Sequence, residues 1–500
     1  MRRCAVPVSV FLLAVGYLVC FSAMWYTETY GSIGFDAILY TLTSELGGVD
    51  PNLIRSCLDF LFCDWLFLAF CVVVFLLCYP WKSRIMVRLF GEKTVQVYPF
   101  SPGFLVIFSL AACALLLGNA AERTSFFDYI SNWSNPSTLY EEEYADPREV
   151  TITFPEKKQN LVYIFLESME TSFFSTENGG ALTYNVIPEL YDIAVSNINF
   201  SPTEDVGGFR AAPGTTWTIG AMVGQTAGIP LKIPFGSSQN RCVREDGSFL
   251  KGVYTLSDIL HENGYQQAVM FGSKAAFGGR EAFYSTHGTE RIYDLYTAPE
   301  DGIVPEGYDN HFWGMEDLYL FEYAKQKLLE LSAGEEPFAL TLLTVDTHHV
   351  GGYLCSLCGD TYSEQYENAF RCSSRQIADF LAWIQQQVFY ENTTVILAGD
   401  HLSMDEGYIA RNVEKGYDRR VYNCFIHSAV QPSSMKNRGF STFDMFPTTL
   451  AALGCAIEGD RLGLGTNLFS EKSTLLEQMG EEAFEEAISR FSQYYEVNFW

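Results

Sequence analysis

Basic residues are scarce in this chain. Its 32 lysines and arginines face 60 aspartates and glutamates, a formal net charge of −28. Nothing in it resembles the basic stripe that a phosphate backbone requires, so nucleic acid is excluded as a partner and the acid reads as solvated surface. Internal repeats and low-complexity tracts are absent, which excludes a solenoid or a disordered array. No small-x-small cleavage site follows the first apolar run, which argues against a removable leader. Among the 13 cysteines, Cys355, Cys358 and Cys372 lie near one another without a fourth metal-type ligand, so a local disulfide is expected there rather than a zinc site.

What the chain has instead is segregation. Hydrophobic residues make up 48% of it, and nearly all the long apolar runs fall within residues 1–118. Three segments, about 5–26, 58–79 and 100–117, are long enough to cross a bilayer. Arg2, Arg3, Lys82, Arg84, Arg88 and Lys93 flank them on one side, whereas the first loop carries Glu28, Asp36, Glu45 and Asp50 against Arg55 alone. The positive-inside rule therefore puts the N-terminus and loop 82–97 in the cytosol and everything after 118 outside. At 500 residues, several units are expected. They are a membrane domain of three helices (1–118), an interfacial linker (119–158) with Phe126, Phe127, Tyr129, Trp133, Tyr140 and Tyr144, a catalytic domain (159–470) and a helical tail (471–500). An acidic amphipathic helix is expected over 471–491.

Beyond the linker, β-rich runs (161–166, 267–271, 338–344, 394–397) alternate with helical patterns (318–331, 374–388). That alternation predicts an α/β domain with a mostly parallel central sheet flanked by helices. The first run stops abruptly at Glu167, and a later one ends in Gly399-Asp400-His401. The carboxyl edge of such a sheet is where ligands bind, so two strand ends carrying ligand-type side chains predict one composite metal site. Between them, Pro213-Gly-Thr215-Thr216-Trp217-Thr218 enters an apolar stretch stopped by Gly228-Ile-Pro230. This reads as a loop leading into a helix N-terminus, where free N–H groups and the dipole favour a phosphate or an alkoxide. A threonine there, facing a dication, can attack phosphorus. A further strand ends in Thr344-Val-Asp346-Thr-His348-His349, which offers a general acid or substrate clamp at the same edge.

In this order the motifs, together with Phe443-Asp-Met-Phe-Pro-Thr-Thr-Leu, resemble the sulfatase-like membrane transferases of the alkaline phosphatase superfamily. Within them the chain is most similar to the phosphoglycerol transferases that decorate periplasmic glucans, and it is related to the lipoteichoic acid synthases. Glu156-Lys-Lys-Gln-Asn-Leu-Val-Tyr-Ile-Phe-Leu-Glu-Ser-Met-Glu170, Trp217-Thr-Ile-Gly-Ala-Met-Val, Gly228-Ile-Pro-Leu231 and Phe277-Gly-Gly-Arg280 carry the likeness, over about 119–470. It implies that Glu167, a threonine, Asp400 and His401 bind one divalent ion, Mn²⁺ or Mg²⁺. It also implies that His348, with His349, contacts glycerol phosphate and that Arg280 clamps a phosphate oxygen. The spacing back from Gly228 favours Thr215 as nucleophile. Thr216 or Thr218 fits if the helix begins up to one turn later. The chain departs from the pattern at Val350, where a proline commonly follows the histidine pair.

The implied activity is transfer of glycerol phosphate from phosphatidylglycerol, through phosphothreonine, to an extracytoplasmic glycan or teichoic-type polymer hydroxyl. A phosphoethanolamine transferase or a sulfatase of the same fold is the alternative. The sulfatase is disfavoured because no Cys-x-Pro-x-Arg or Ser-x-Pro-x-Arg motif is present. A catalytically inactive membrane-anchored binding protein would not need Glu167, Asp400, His401 and a hydroxyl together. The expected topology is checked by protease or label access on intact cells: Lys251 should be reached from outside, and a protected Lys251 contradicts it.

Overall fold

The computed structural model describes residues 2–31, 35, 38, 55–60, 85–88, 94–97, 102–232, 243, 246–305, 307–308, 312 and 314–500. Two units emerge, Met1–Ile33 with Val49–Asp128, and Gly34–Gly48 with Tyr129–Trp500.

In the first unit, α1 (Arg2–Tyr30) and α2 (Pro102–Arg123) contain the apolar stretches Pro7–Tyr30 and Gly103–Arg123, each long enough to cross a membrane. They pack closely because Gly16 has no side chain: a Cβ there would lie 3.1 Å from the Cys113 Cα. The expected middle span, 58–79, lies outside the described residues except for 58–60, which are helical. Within the expected cytosolic loop, Ile85–Arg88 and Thr94–Val97 pair antiparallel.

The second unit is built on a seven-stranded sheet. Its strands, in chain order, are β1 (Asn160–Leu166), β2 (Gly208–Phe209), β3 (Gln266–Phe271), β4 (Arg291–Tyr293), β5 (Phe338–Leu343), β6 (Thr393–Gly399) and β7 (Val421–Ile426). The spatial order is β2-β7-β6-β1-β5-β3-β4. The five strands from β6 to β4 are parallel, and β7 and β2 extend that side antiparallel. The sheet is therefore mixed but mostly parallel, as expected.

Every residue of β1 is buried, because helices cover both faces and leave neither for water. Val162, Ile164 and Leu166 join the core formed with Leu320, Ala324 and Leu328 of the helix Asp317–Leu331 and with Phe370, Ile377 and Phe380 of the helix Gln365–Gln385. Tyr163 points the other way, its hydroxyl donating to Gln225 of the helix Thr218–Ala227.

Two helices depart from expectation. The one expected over 374–388 begins at Gln365, because its first turns bury polar side chains. Glu367, for instance, accepts hydrogen bonds from Tyr184 and Tyr408, and such residues conceal the apolar period. The single helix expected over 471–491 is two, Leu475–Met479 and Glu481–Ser489, and a third, Gln493–Asn498, follows beyond that range. Gly480, at φ 76°, breaks the first from the second. The expected local disulfide joins Cys358 to Cys372, with Cys355 buried as a free thiol beside them.

Strand β6 ends in a glycine for a steric reason. A Cβ on Gly399 would lie 2.1 Å from the carbonyl oxygen of Met169. Gly399→Ala should therefore lower stability by about 1–3 kcal/mol through overpacking, as read by denaturant unfolding of the full chain. An unchanged midpoint contradicts this account of the strand end.

Candidate active site

Register brings the first two ligand-type residues together. Leu166 of β1 lies opposite Gly399 of β6, so the next residue on each strand, Glu167 and Asp400, emerges beside the other. Both are buried. Ser168, in the left-handed region at φ 54°, turns back over them. Its N–H donates to Asp400 Oδ1 (2.8 Å) and its hydroxyl to Glu167 Oε1 (2.8 Å). The His401 N–H also donates to Asp400 Oδ1, at 2.7 Å.

The His401 ring has its tautomer set by the chain. Nδ1 lies 2.8 Å from the Leu402 carbonyl, which can only accept, so Nδ1 carries the proton and the Nε2 lone pair faces the carboxylates. Nε2 is 3.4 Å from Asp400 Oδ2 and 3.8 Å from Glu167 Oε1. Ligand atoms of the three residues all lie within 4.8 Å of one another. Glu167 Oε2 and Asp400 Oδ2 are both buried without a hydrogen-bond partner among the described residues. Burial, and then the Asp400 charge, push the Glu167 carboxyl well above its ordinary value. Two carboxylate oxygens and an imidazole lone pair form the donor set of a divalent metal, and a dication would remove their mutual repulsion.

The helix Thr218–Ala227 begins at the later end of the range expected from sequence, with Trp217 at its N-cap position. Thr218 Oγ1 stands 3.4 Å from His401 Nε2 and is only partly buried. Gln225, two turns along, ties the helix to the end of β6 by donating to the carbonyls of Gly399 (2.9 Å) and Asp400 (3.3 Å). Thr215, the residue favoured by spacing, is placed differently. Its side chain is fully buried, and its hydroxyl is held by the Ala212 carbonyl (2.8 Å) and by Thr442 Oγ1 (2.9 Å). Its methyl group fills the space that Gly224 leaves, where a Cβ would come within 2.8 Å. The chain reaches the helix through a turn at Gly214 (φ 77°), which moves the helix start one turn beyond Thr215.

The other expected residues gather at the same edge. His348 stacks on His349 with ring centroids 4.3 Å apart. Burial, offset in part by a backbone hydrogen bond and reinforced by the nearby His401 and Arg280, pushes the His348 imidazole down to about 3, so it is neutral at pH 7. His349 is also held well below its ordinary value, by burial and by the neighbouring imidazoles. Arg280 is buried after β3, bonded to Ser273 Oγ (2.8 Å) and to the carbonyls of Lys274 (2.7 Å) and Phe277 (3.0 Å). Its guanidinium lies over the Phe271 ring, and its charge reaches Glu167. The segment carrying the histidines is anchored by Asp317, which accepts the N–H groups of Val345 (2.8 Å) and Asp346 (3.2 Å).

Several supporting residues escaped the sequence reading. Thr344 accepts the Glu167 N–H at 3.0 Å, and Thr347 donates to the Glu167 carbonyl at 2.6 Å. Both belong to the strand-end motif that was singled out for its histidines. Gln225 had a signal, a lone amide inside an apolar helix. Ser168 stood in the quoted motif directly after Glu167, and Thr442 had no signal.

Comparison with known proteins covers all these residues. Residues 159–455 match the family described as Sulfatase. Phosphoglycerol transferase I of Escherichia coli is 31% identical over 305 residues, 60% of the present chain but only 38% of that protein's length. Among solved structures, the integral membrane protein lipooligosaccharide phosphoethanolamine transferase A (EptA) from Neisseria meningitidis superposes with a TM-score of 0.50 over 97% of this chain and 88% of its own. At 10% identity that likeness concerns the fold alone. The lipoteichoic acid synthase LtaP from Listeria monocytogenes superposes at 0.48, with 17% identity over 64% of this chain and 79% of its own.

The carboxylate pair makes metal-free stability pH-dependent. The unfolded reference value of Glu167 is 4.5 and the folded one is raised, so the folded form holds the proton more tightly. Its stabilising contribution is complete below 4.5 and is lost as pH rises through the folded value. In chelator, Tm should fall across this rise in pH, Glu167→Gln should flatten the fall, and Mn²⁺ should restore only the wild type. Calorimetry checks this. Identical profiles for the two chains contradict it.

Proposed function

Because the chain belongs to the sulfatase family, we propose that it transfers glycerol phosphate from phosphatidylglycerol to a hydroxyl of an extracytoplasmic glycan or teichoic-type polymer. The observation that carries this reading is a hydroxyl at a helix N-terminus, Thr218, beside the Glu167, Asp400 and His401 cluster. The 31% likeness to a phosphoglycerol transferase supports the choice of head group.

Glu167, Asp400 and His401 would hold one divalent ion, Mn²⁺ or Mg²⁺, which when bound supplies Lewis-acid stabilisation of phosphoryl oxygens and lowers the pKa of a nearby hydroxyl. Thr218 is the nucleophile. Its oxygen bonds to phosphorus as the bond from phosphorus to the diacylglycerol oxygen breaks. That oxygen takes up a proton as the Thr218 hydroxyl gives one up, so protons balance, and diacylglycerol returns to the bilayer, which accounts for tethering such a domain to a membrane. In the second half, an acceptor hydroxyl oxygen attacks the same phosphorus, and the threonine oxygen leaves and regains its proton. Free N–H groups at the start of the ten-residue helix favour the phosphoryl oxygens in both halves. His348, neutral at pH 7, hydrogen-bonds the phosphodiester, and Arg280 supplies a fixed positive charge for it.

Acceptor-free conditions expose the intermediate. Offered phosphatidylglycerol alone, the protein should gain one glycerophosphate within 211–232, on Thr218, as read by peptide mass spectrometry. Thr218→Ala should abolish the adduct and lower turnover on the order of 10³-fold or more, and Asp400→Ala should remove the response to Mn²⁺. Thr215→Ala, which loses two neutral hydrogen bonds at a cost of about 1–3 kcal/mol, should still form the adduct. An adduct on Thr215 overturns the assignment of the nucleophile. The mass of phosphoethanolamine in place of glycerophosphate, when that lipid is offered, selects the other head group. Product without any adduct removes the double displacement.

A further inference from the structure

Between His349 and Gly359 the chain carries no acidic or basic residue, in a molecule with 60 acidic ones. Three large apolar side chains in this run face outward, Val350 at 57% exposure, Leu354 at 37% and Leu357 at 52%. Single exposed apolar residues are ordinary, as Leu329 and Val388 illustrate elsewhere on the same unit. Three on one uncharged loop are not.

The loop is also built rather than slack. The Gly352 N–H donates to the His348 carbonyl (3.2 Å) and the Tyr353 N–H to the Asp346 carbonyl (2.7 Å). The Gly351 N–H donates to Asp405 Oδ2 (2.9 Å), and Gln365 Nε2 donates to the carbonyls of Gly351 (3.2 Å) and Gly352 (2.9 Å). The Tyr353 ring stacks on Phe312 at 4.4 Å. At the far end, the Cys358–Cys372 disulfide pins the loop to the helix Gln365–Gln385, and buried Cys355 packs beside it. A backbone held at both ends keeps its apolar side chains from collapsing inward, and Val350 lies two residues beyond His348.

We propose that the 350–357 loop is the hydrocarbon-contacting rim of the site, meeting the acyl region of a phospholipid bilayer while the lipid's phosphodiester lies at the Glu167 and Asp400 edge. The inference rests on the reading of the site as one that takes a lipid donor. Charge favours it: an acidic surface is repelled by anionic head groups, whereas this stretch carries nothing to repel. Geometry favours it as well, because the phosphodiester and the acyl chains of one lipid are adjacent, as are His348 and Val350.

The test uses the full chain reconstituted in vesicles of phosphatidylcholine and phosphatidylglycerol, with a Thr218→Ala background so that no turnover is needed. The photo-crosslinking residue benzoylphenylalanine replaces Leu357 in one sample and Val388 in another, and peptide mass spectrometry reads lipid adducts after irradiation. About tenfold more lipid adduct is expected at 357 than at 388, since contact scales with inserted apolar surface. Adding Leu354→Asp should cut the yield at 357 several-fold, by placing a charge where hydrocarbon lies. Equal yields at the two positions, an adduct with a second copy of the chain in place of lipid, or indifference to Leu354→Asp each overturn the proposal. Failure of the transferase reading would show instead as a missing glycerophosphate adduct in the turnover experiment, with the crosslink intact.

Discussion

Two carboxylates that the sheet forces side by side are the constraint on which the rest of this site depends. Neighbouring parallel strands lie about 4.8 Å apart, and pairing of Leu166 with Gly399 leaves Glu167 and Asp400 no means of separating. Burial and the neighbouring Asp400 push the Glu167 carboxyl well above its ordinary value, which a bound cation would relieve. Ser168 donates to one oxygen of each carboxylate, the His401 N–H donates to Asp400 Oδ1, the Leu402 carbonyl fixes the imidazole tautomer, and Glu167 Oε2 and Asp400 Oδ2 accept no hydrogen bond among the described residues. Arg280 is held by its own hydrogen bonds, and its charge is felt at Glu167.

From that constraint the placement of the other groups follows. Gln225 bridges the end of β6 to the helix Thr218–Ala227, so whatever fixes Asp400 also fixes the helix start. Asp317 holds the backbone from which His348 and His349 project. The same backbone continues into the disulfide-pinned loop with its outward Val350, Leu354 and Leu357. The histidine pair and these exposed apolar side chains thus share one run of chain, as the proposed lipid donor would require.

Much of this was legible in sequence, for reasons that differ by element. Apolar strand runs ending at Glu167, at Asp400-His401 and at the histidine pair are visible because burial on both faces demands uninterrupted hydrophobicity, and function then demands an abrupt stop. Which threonine stands beside the metal-type cluster was not legible. Thr215, Thr216 and Thr218 are chemically equivalent on paper, and only the backbone path through Gly214 and Trp217 separates a hydroxyl bonded to Thr442 from one beside His401. The early start of the helix Gln365–Gln385 was hidden by buried polar residues such as Glu367. The break at Gly480 was passed over because acidic periodicity continues across it.

The central claim, one dication held by Glu167, Asp400 and His401 within reach of Thr218, is tested most directly by anomalous diffraction from crystals of the full chain containing Mn²⁺. The account predicts a single strong peak about 2.0–2.6 Å from carboxylate oxygens of Glu167 and Asp400 and from His401 Nε2, with Thr218 Oγ1 its nearest hydroxyl. A peak ligated instead by Thr215, or no peak among these residues at saturating Mn²⁺, contradicts it.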